Sequence, residues 1–111
     1  GFLSVKKVKT AGSMKISREP GTACLDASKA GFPLIVRKWR HGDYFYPFGM
    51  KSRKKLSDHF VDRKYSIPRK ERQMILEKDG KIVWVIGDRI DNRFRITSET
   101  KEAIIIKFGK S

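Results

Sequence analysis

Lysine and arginine side chains are concentrated in one short stretch of this chain, residues 50–72. The stretch contains nine basic residues against three acidic ones, a net of six positive charges. Its densest run is KSRKK at residues 51–55, which lies between a glycine and a predicted helix start. Flexible cations and free helix amides together are suited to holding phosphate groups. Because repulsion between like charges opposes compaction, the pattern favours a polyanionic partner over a purely structural role.

Basic residues on either side of this stretch extend the set of candidates. Arginine offers planar, bidentate contacts to phosphate and base edges, whereas lysine acts as a mobile point charge. The C-terminal third is nearly balanced in charge, but its arginines stand out as possible contributors. The predicted phosphate-contacting, nucleic-acid-binding residues are Arg37, Arg40, Lys51, Arg53, Lys54, Lys55, Lys64, Arg69, Arg72, Arg89 and Arg93.

The charge of the whole chain indicates the same class of partner. With 26 Lys and Arg against 12 Asp and Glu, the net charge is +14 and the isoelectric point is about 10.2. This balance is typical of nucleic-acid binding in a chain of 111 residues. An acidic membrane surface would also attract it, but the chain lacks a long basic amphipathic helix. We therefore expect a nucleic acid and no membrane.

Aromatic residues alternate with the basic ones just before the densest run. They are Trp39, Tyr44, Phe45, Tyr46 and Phe48. Aromatic side chains among cations can stack on exposed bases. In a domain of this size most of them must also fill the core, so the sequence leaves open which of them stack.

Residues that could act in catalysis do not form a recognisable centre. His41 and Asp43 flank Gly42, but no activated nucleophile or oxyanion loop completes a site around them. His59 is expected to form surface hydrogen bonds with acidic neighbours on its helix. The histidines and aspartates lack metal-ligand spacing, and Cys24 is expected to be a small buried residue. The sequence predicts no catalytic residue, no metal site and no cofactor within this chain.

Two short helices are predicted to carry the basic stretch. Residues 57–64 form the first, with the serine as its cap and basic residues in its last turn. Its core face is expected to contain Leu56, Phe60 and Val61. Residues 68–72 form the second, which begins with a proline.

Strands are predicted for most of the remaining chain. Asp79-Gly80 separates two apolar segments and indicates a β-hairpin, in which Trp84 is expected to be buried. Residues 1–12 are ambiguous between a strand and the tail of a preceding domain. The predicted strands cover residues 14–18, 22–27, 34–40, 74–77, 81–86, 93–97 and 103–108.

These elements fit one α+β domain with a mostly antiparallel, sandwich-like sheet. We expect residues 1–30 to be a lead-in with one or two weak strands, and residues 31–111 to form the main RNA-binding part. No apolar run approaches the length of a membrane span, and the N-terminus lacks a signal-peptide core. The single cysteine also suits a reducing compartment, so we expect a cytoplasmic protein of unknown oligomeric state.

A series of short motifs follows in a specific order between residues 31 and 108. They are Arg37, Arg40-x-Gly42-Asp43, Pro47-x-Gly49-Met50, Lys54-Lys55-Leu56, Lys64, Trp84-x-x-Gly87-x-Arg89-Ile90 and Arg93. Each motif alone is weak. In this order they closely resemble the C-terminal domain of bacterial tRNA(Ile)-lysidine synthetase, and the resemblance covers nearly all of the chain that is expected to be ordered.

The resemblance implies an ATP-dependent ligase that attaches lysine to the wobble cytidine of an isoleucine tRNA. It places ATP, magnesium and catalysis in a separate N-terminal domain with an SGGxDS loop, which this chain lacks. For this chain it implies binding of tRNA(Ile) on the acceptor-stem side and contact with other domains of the enzyme. The implied fold is similar to a module of the phenylalanyl-tRNA synthetase β-subunit.

Two other functions remain open from the residues. The chain could be an interaction module that docks on other domains, with its charge serving solubility. It could also be a general binder of structured RNA, similar in role to a ribosomal protein. Salt-dependent and tRNA-selective binding would distinguish the three functions.

Overall fold

The computed structural model describes residues 2–10, 16–17 and 19–109. Its helices are α1 (Leu56–Asp62) and α2 (Ile67–Arg72), and a short 3₁₀ helix covers Asn92–Phe94. Its strands are β1 (Phe2–Lys9), β2 (Thr22–Asp26), β3 (Ile35–Lys38), β4 (Tyr44–Phe45), β5 (Lys54–Lys55), β6 (Met74–Lys78), β7 (Lys81–Val85), β8 (Arg89–Ile90) and β9 (Glu102–Gly109). Most of the predicted strand at residues 14–18 lies outside the described residues.

The strands form three sheets in which every described pair is antiparallel. The first sheet has the order β1-β9-β2, the second β3-β6-β7-β8, and the third consists of β4 and β5. In the first sheet the last strand pairs with both early strands, so the two ends of the described chain lie side by side. The predicted α+β class with mostly antiparallel sheets is confirmed.

The second sheet is covered by apolar residues on both faces. One face packs against the first sheet, where Trp84 and Leu76 meet Leu25, Ile104 and Ile106. The other face packs beneath helix α1 through a second cluster made of Phe45, Leu56, Phe60, Ile75, Ile82 and Val85. Strand β7 is therefore a central strand with apolar contacts on both sides.

A β-bulge allows β7 to serve both clusters. Leu76 pairs with Trp84 and Glu77 pairs with Ile82, which leaves Val83 as the extra residue between the two pairs. Val83 and Trp84 consequently both belong to the cluster that faces the first sheet. The bulge interrupts the alternation of side chains between the two faces of the sheet, and both faces are apolar. This explains why the sequence of β7 is a continuous apolar run.

The predicted β-hairpin is confirmed. Strands β6 and β7 are joined by Asp79 and Gly80, which both have positive φ angles, 50° and 82°. Two positive φ values are what a tight two-residue hairpin turn requires. Trp84 is fully buried, as predicted.

Helix α1 differs from its prediction at both ends. It begins at Leu56, one residue before the predicted cap, and has no side-chain cap; the amide of Leu56 donates to the carbonyl of Asp43 at 2.9 Å. The serine at position 57 was therefore the wrong cap. Val61, predicted as core, is 70% exposed, and the buried position on this side belongs to His59 instead.

The end of α1 is a Schellman motif. Lys64 adopts a left-handed conformation with φ 55°, and its amide donates to the carbonyl of Val61 at 3.0 Å. The amide of Tyr65 donates to the carbonyl of Phe60 at 2.9 Å, and their rings stack with centroids 4.6 Å apart. This motif commonly pairs such a turn with an apolar contact. It reverses the chain sharply and leads directly into α2.

The predicted strand at residues 93–97 is wrong. The structure has the 3₁₀ helix there, and Arg95 makes only an isolated bridge to Leu25. The side chain of Asp91 accepts the amide of Arg93 at 2.8 Å and so caps the turn. A capped turn competes with strand pairing for the same backbone groups.

Replacing Trp84 with alanine is expected to lower the free energy of unfolding by about 3 to 5 kcal/mol, the usual cost of deleting a fully buried tryptophan. Urea denaturation measures this difference. The control is Ile67→Ala in α2, which is 69% exposed and should change stability by less than about 0.5 kcal/mol. Equal stability of the two variants would contradict the assignment of Trp84 to the core.

Candidate nucleic-acid interface

Two arginines and two tyrosines form a row on the surface beside the third sheet. The Arg53 guanidinium lies 4.9 Å from the ring centroid of Tyr44, and that of Arg93 lies 4.5 Å from the ring centroid of Tyr46. The two tyrosine rings meet edge to face with centroids 6.4 Å apart. We call these four side chains the Arg–Tyr row. It combines cations with aromatic faces, which suits contact with phosphates and exposed bases.

Asp91 fixes one end of the Arg–Tyr row. Its buried carboxylate accepts hydrogen bonds from Nε and Nη2 of Arg93, both at 3.0 Å. It also accepts the backbone amide of Tyr46 at 2.9 Å. The hydrogen bond from Asp91 raises the pKa of Arg93, so this guanidinium stays charged and held over the ring.

The lysines of β5 lie next to the row. Lys55 is paired with Tyr44, and Lys54 with Phe45, across the β4–β5 ladder. Lys54 forms a salt bridge with Asp62 at the end of α1. Lys55 is exposed and makes no salt bridge with any residue in the described ranges.

Arg37 is held between two carboxylates and its side chain is only 15% exposed. Its Nε donates to Glu77 at 2.8 Å, and its two terminal nitrogens donate to the two oxygens of Asp43 at 2.9 Å. Burial favours the neutral form of Asp43, but these hydrogen bonds outweigh it and lower the pKa of Asp43. The geometry gives Arg37 the role of fastening the turn at residues 40–43 to strand β6.

Helix α2 exposes Arg69 and Arg72, leaves Lys70 partly buried, and has no fully buried residue. Its N-terminus is capped by Ser66, which accepts the amide of Arg69 at 3.2 Å. The indole Nε1 of Trp39 donates to the carbonyl of Lys70 at 2.6 Å and fastens the helix to the end of β3. The Arg69 guanidinium lies 3.8 Å from the ring centroid of Tyr65. Since α2 adds nothing to the core, its sequence is free to serve the surface.

A buried carboxylate joins α1 to the turn between β7 and β8. Oδ2 of Asp88 accepts hydrogen bonds from Nε2 of His59, at 2.8 Å, and from the hydroxyl of Tyr65. Burial opposes ionisation of Asp88, but these hydrogen bonds and the charge of Arg63 lower its pKa to about 2. Burial and the contact with Asp88 raise the pKa of Tyr65. His59 was predicted at the surface, and this prediction is wrong because its partner is distant in sequence.

The structure arranges most of the predicted RNA-binding residues on connected elements. Arg53, Lys54, Lys55 and Arg93 are on or beside the Arg–Tyr row, and Lys51 is in the exposed loop before β5. Lys64 is exposed just after α1, and Arg89 follows Asp88 at the start of β8. Arg69 and Arg72 are on α2, Arg40 is exposed after β3, and Arg37 is set apart by its ion pairs. Which of these side chains contact RNA stays a prediction.

Four residues of this surface were missing from the candidates. Arg63 and Lys70 are neighbours of chosen residues in the same basic stretch, so the charge count alone could have included them. Asp88 and Asp91 orient the surface from below, and the sequence carried no local signal for this role. Asp88 is buried close to Arg63, which is remote along the chain, whereas Asp91 is buried beside Arg93, two residues further on.

Two kinds of feature were not found among the described residues. No group of His, Cys, Asp and Glu within these ranges is arranged to hold a metal ion. No helix among them is both long and apolar enough to cross a bilayer.

The fold and the surface define a strongly basic, mostly antiparallel α+β domain. Its sequence matches the family described as TilS substrate C-terminal domain over residues 34–106. The chain therefore belongs to the family of tRNA(Ile)-lysidine synthase C-terminal domains, and the resemblance stated from its motifs is confirmed.

Relatives with high identity are tRNA(Ile)-lysidine synthases. The chain is 48% identical over 106 residues to that of Parabacteroides distasonis, a match covering 96% of this chain and 24% of the relative. It is 53% identical over 93 residues to that of Bacteroides thetaiotaomicron, covering 84% and 22%. The chain thus spans about a quarter of the length of these relatives.

Solved structures share the fold. A crystal structure of a TilS C-terminal domain aligns with a TM-score of 0.78 and 23% identity, covering 95% of this chain and 80% of that one. An N-terminal fragment of the phenylalanyl-tRNA synthetase β-subunit from Pyrococcus horikoshii aligns with a TM-score of 0.65 and 20% identity, covering 77% and 27%. The predicted similarity to both modules is confirmed at the level of fold.

The low pKa of Asp88 predicts a specific loss of stability in acid. Its folded-state pKa of about 2 lies below the ordinary value of 3.8, so its ionisation stabilises the fold above about pH 4. This contribution, on the order of 2 kcal/mol, is lost as the pH falls through 3.8 toward 2. Urea denaturation from pH 6 to pH 2 should show a shallower pH dependence for Asp88→Asn than for the unmodified chain.

The control for this series is Asp79→Asn at the exposed hairpin turn, where asparagine tolerates the positive φ. It should retain the full acid dependence. An Asp88→Asn variant with the same pH dependence as the unmodified chain would show that this carboxylate does not stabilise the fold.

Proposed function

We propose that this chain binds the acceptor-stem side of tRNA(Ile) as a non-catalytic part of tRNA(Ile)-lysidine synthase. In this proposal the whole enzyme attaches lysine to the wobble cytidine of the tRNA. Its ATP and magnesium are bound by a catalytic domain outside this chain. The names of the relatives support the choice of tRNA as the partner.

The observation that carries the proposal is the Arg–Tyr row together with the exposed lysines beside it. Two oriented guanidinium groups and two tyrosine rings lie next to β5, whose Lys55 has no acidic partner among the described residues. If these arginines served only to form ion pairs within the fold, they would not need tyrosine rings beside them. Cations that rest on exposed rings are positioned to meet a polyanion.

Lys64 gives independent support. It occupies the left-handed position of a helix end, where glycine is the preferred residue because a Cβ atom is disfavoured there. Its side chain is exposed and forms no salt bridge within the described part of the chain. A lysine that costs stability at this position and has no acidic partner there is consistent with a functional need for its charge.

The surface suits recognition of RNA shape more than of sequence. The major groove of an A-form stem is too narrow for side chains, which leaves its backbone and shallow minor groove accessible. The exposed Lys51, Lys55 and Lys64 can follow such a backbone. Arginines held by carboxylates, such as Arg93, would fix the register.

A second candidate function is docking on another domain. Strand β3 is at the open edge of the second sheet and exposes Ile35 and Val36, with Phe32 exposed just before it. Apolar side chains at an unpaired sheet edge favour contact with protein. The two functions use different surfaces, so both can operate in one chain.

Replacing Lys54 and Lys55 with alanine should weaken binding to every tRNA alike. Each phosphate that is no longer neutralised should reduce the slope of log affinity against log salt by roughly 0.7 to 0.9. Thermal stability should change little, because the salt bridge of Lys54 is at the surface and contributes at most about 1 kcal/mol. Fluorescence anisotropy with labelled tRNA at several salt concentrations measures affinity and slope together.

The matched control replaces Lys78 and Lys81 with alanine. These two lysines flank the β6–β7 hairpin turn, at the end of β6 that is farther from α2. The control deletes the same charge and should leave both affinity and slope close to those of the unmodified chain. In the full-length enzyme, the Lys54 and Lys55 variant should slow modification of whole tRNA and spare a minimal anticodon stem-loop. Equal loss on both substrates would refute acceptor-side binding.

Replacing Lys64 with glycine should separate function from stability. Glycine adopts the left-handed conformation freely, so unfolding should require about 0.5 to 1 kcal/mol more free energy, while the affinity for tRNA falls. Asp79→Gly provides a comparison, since it also relieves a positive φ without removing a cation. Unchanged tRNA affinity in the Lys64 variant would remove this residue from the interface.

A further inference from the structure

A cavity of about 360 Å³ lies beside the proposed interface, between strand β2 and the turn that joins β7 to β8. Its walls include Phe48, Ile90 and Ile96, which provide apolar surface. Its volume falls at the lower end of the range for small-ligand sites, roughly 300 to 1,000 Å³. Phe48 belongs to the loop that leads to β5, so the cavity and the interface share a rim.

Charged groups of both signs also line the cavity. Arg63 and Arg89 contribute guanidinium groups, and Asp88 and Glu19 contribute carboxylates. The Arg63 side chain is 44% exposed, which places it at the opening, with Nη2 3.3 Å from Oδ1 of Asp88. The site therefore offers hydrogen-bond donors and acceptors above an apolar floor.

One of the acceptors is incompletely satisfied. Oδ1 of Asp88 is buried and accepts no hydrogen bond from any described residue, whereas Oδ2 is fully engaged by His59 and Tyr65. Buried polar atoms nearly always have a hydrogen-bond partner, so an unsatisfied one indicates a missing donor. Movement of the exposed Arg63 side chain would open this oxygen to a ligand.

The combination identifies the chemistry of a ligand. A free phosphate would make no use of the apolar walls, and a purely apolar molecule would leave the charged groups unpaired. A nucleobase has flat apolar faces and an edge with both donors and acceptors. Unpaired bases are commonly bound between apolar side chains or arginine planes and read along their edges.

We propose that this cavity receives one unpaired nucleobase of the RNA bound at the neighbouring interface. The base lies on the apolar floor, its exocyclic amino group donates to Oδ1 of Asp88, and Arg89 contacts its acceptor atoms or its phosphate. The inference rests on the proposed function, because the basic interface supplies most of the affinity. It adds a site that distinguishes a stem with an unpaired nucleotide from a fully paired one.

The test compares a blunt RNA stem with the same stem carrying a single-stranded 3′ extension of one to four nucleotides. Stacking of one base should make the extended stem bind roughly five- to a hundredfold more tightly. Single-nucleotide extensions of A, C or G should gain more than U, which lacks an amino group. Equal gains for all four would contradict the hydrogen bond to Asp88.

Two variants tie the gain to the cavity. Arg89→Met should abolish the difference between the stems, whereas Arg95→Met, which removes a nearby exposed arginine outside the cavity, should preserve it. Ile96→Trp should fill the cavity and abolish the gain while the blunt stem binds as before. Binding of the blunt stem thus reports whether the Ile96 variant remains folded, and thermal unfolding reports the same for the Arg89 and Arg95 variants.

The outcomes separate the two proposals. Equal binding of both stems to the unmodified chain overturns the nucleobase site and leaves the proposed function standing. A gain that persists in both the Arg89 and the Ile96 variants also overturns the site. Failure of the unmodified chain to bind either stem overturns both proposals.

Discussion

Burial of the second sheet on both faces is the constraint on which the rest of this structure depends. Strand β7 contributes to one apolar cluster under the first sheet and to another under helix α1. Neither face of its centre can therefore hold an unpaired charge, because such burial is costly. The many basic residues are forced to the periphery, into the β4–β5 loop, the end of α1 and the surface of α2.

Buried acidic residues then organise this basic periphery. Asp88 and Asp91 flank the short strand β8 and hold His59, Tyr65 and Arg93 from below. Because these two carboxylates are inside, the exposed surface is richer in basic groups relative to acidic ones than the composition suggests. The net charge of +14 therefore lies mainly on the surface, above a core that contains these two carboxylates. The same carboxylates connect the stability of the fold to the geometry of the interface.

Local signals in the sequence predicted the local parts of this structure. The Asp79-Gly80 turn and the short helix with an early proline follow from conformational preferences of neighbouring residues, and both were found. The order of motifs identified the family. The basic stretch at residues 50–72 was visible from charge alone, although contact of its residues with RNA is still a prediction.

Contacts that are distant along the chain lie outside what the sequence pattern could predict. His59 was placed at the surface because Asp88, its partner, lies 29 residues away. Arg37 stays a predicted RNA contact, but one of its carboxylate partners, Glu77, lies 40 residues away and holds its side chain against strand β6. Single-sequence patterns carry no information on such long-range pairs. The predicted strand at residues 93–97 failed for a local reason, because the carboxylate of Asp91 accepts the backbone amide of Arg93 two residues further along the chain.

The most direct measurement is an NMR titration of the ¹⁵N-labelled chain with an RNA stem the size of a tRNA acceptor arm. RNA binding through the basic periphery predicts that the largest amide shift changes fall in residues 44–55 and 63–72. The amide shifts of the β6–β7 hairpin turn should not change. Absence of shift changes, or changes confined to the apolar sheet edge at residues 32–36, would contradict this mode of binding.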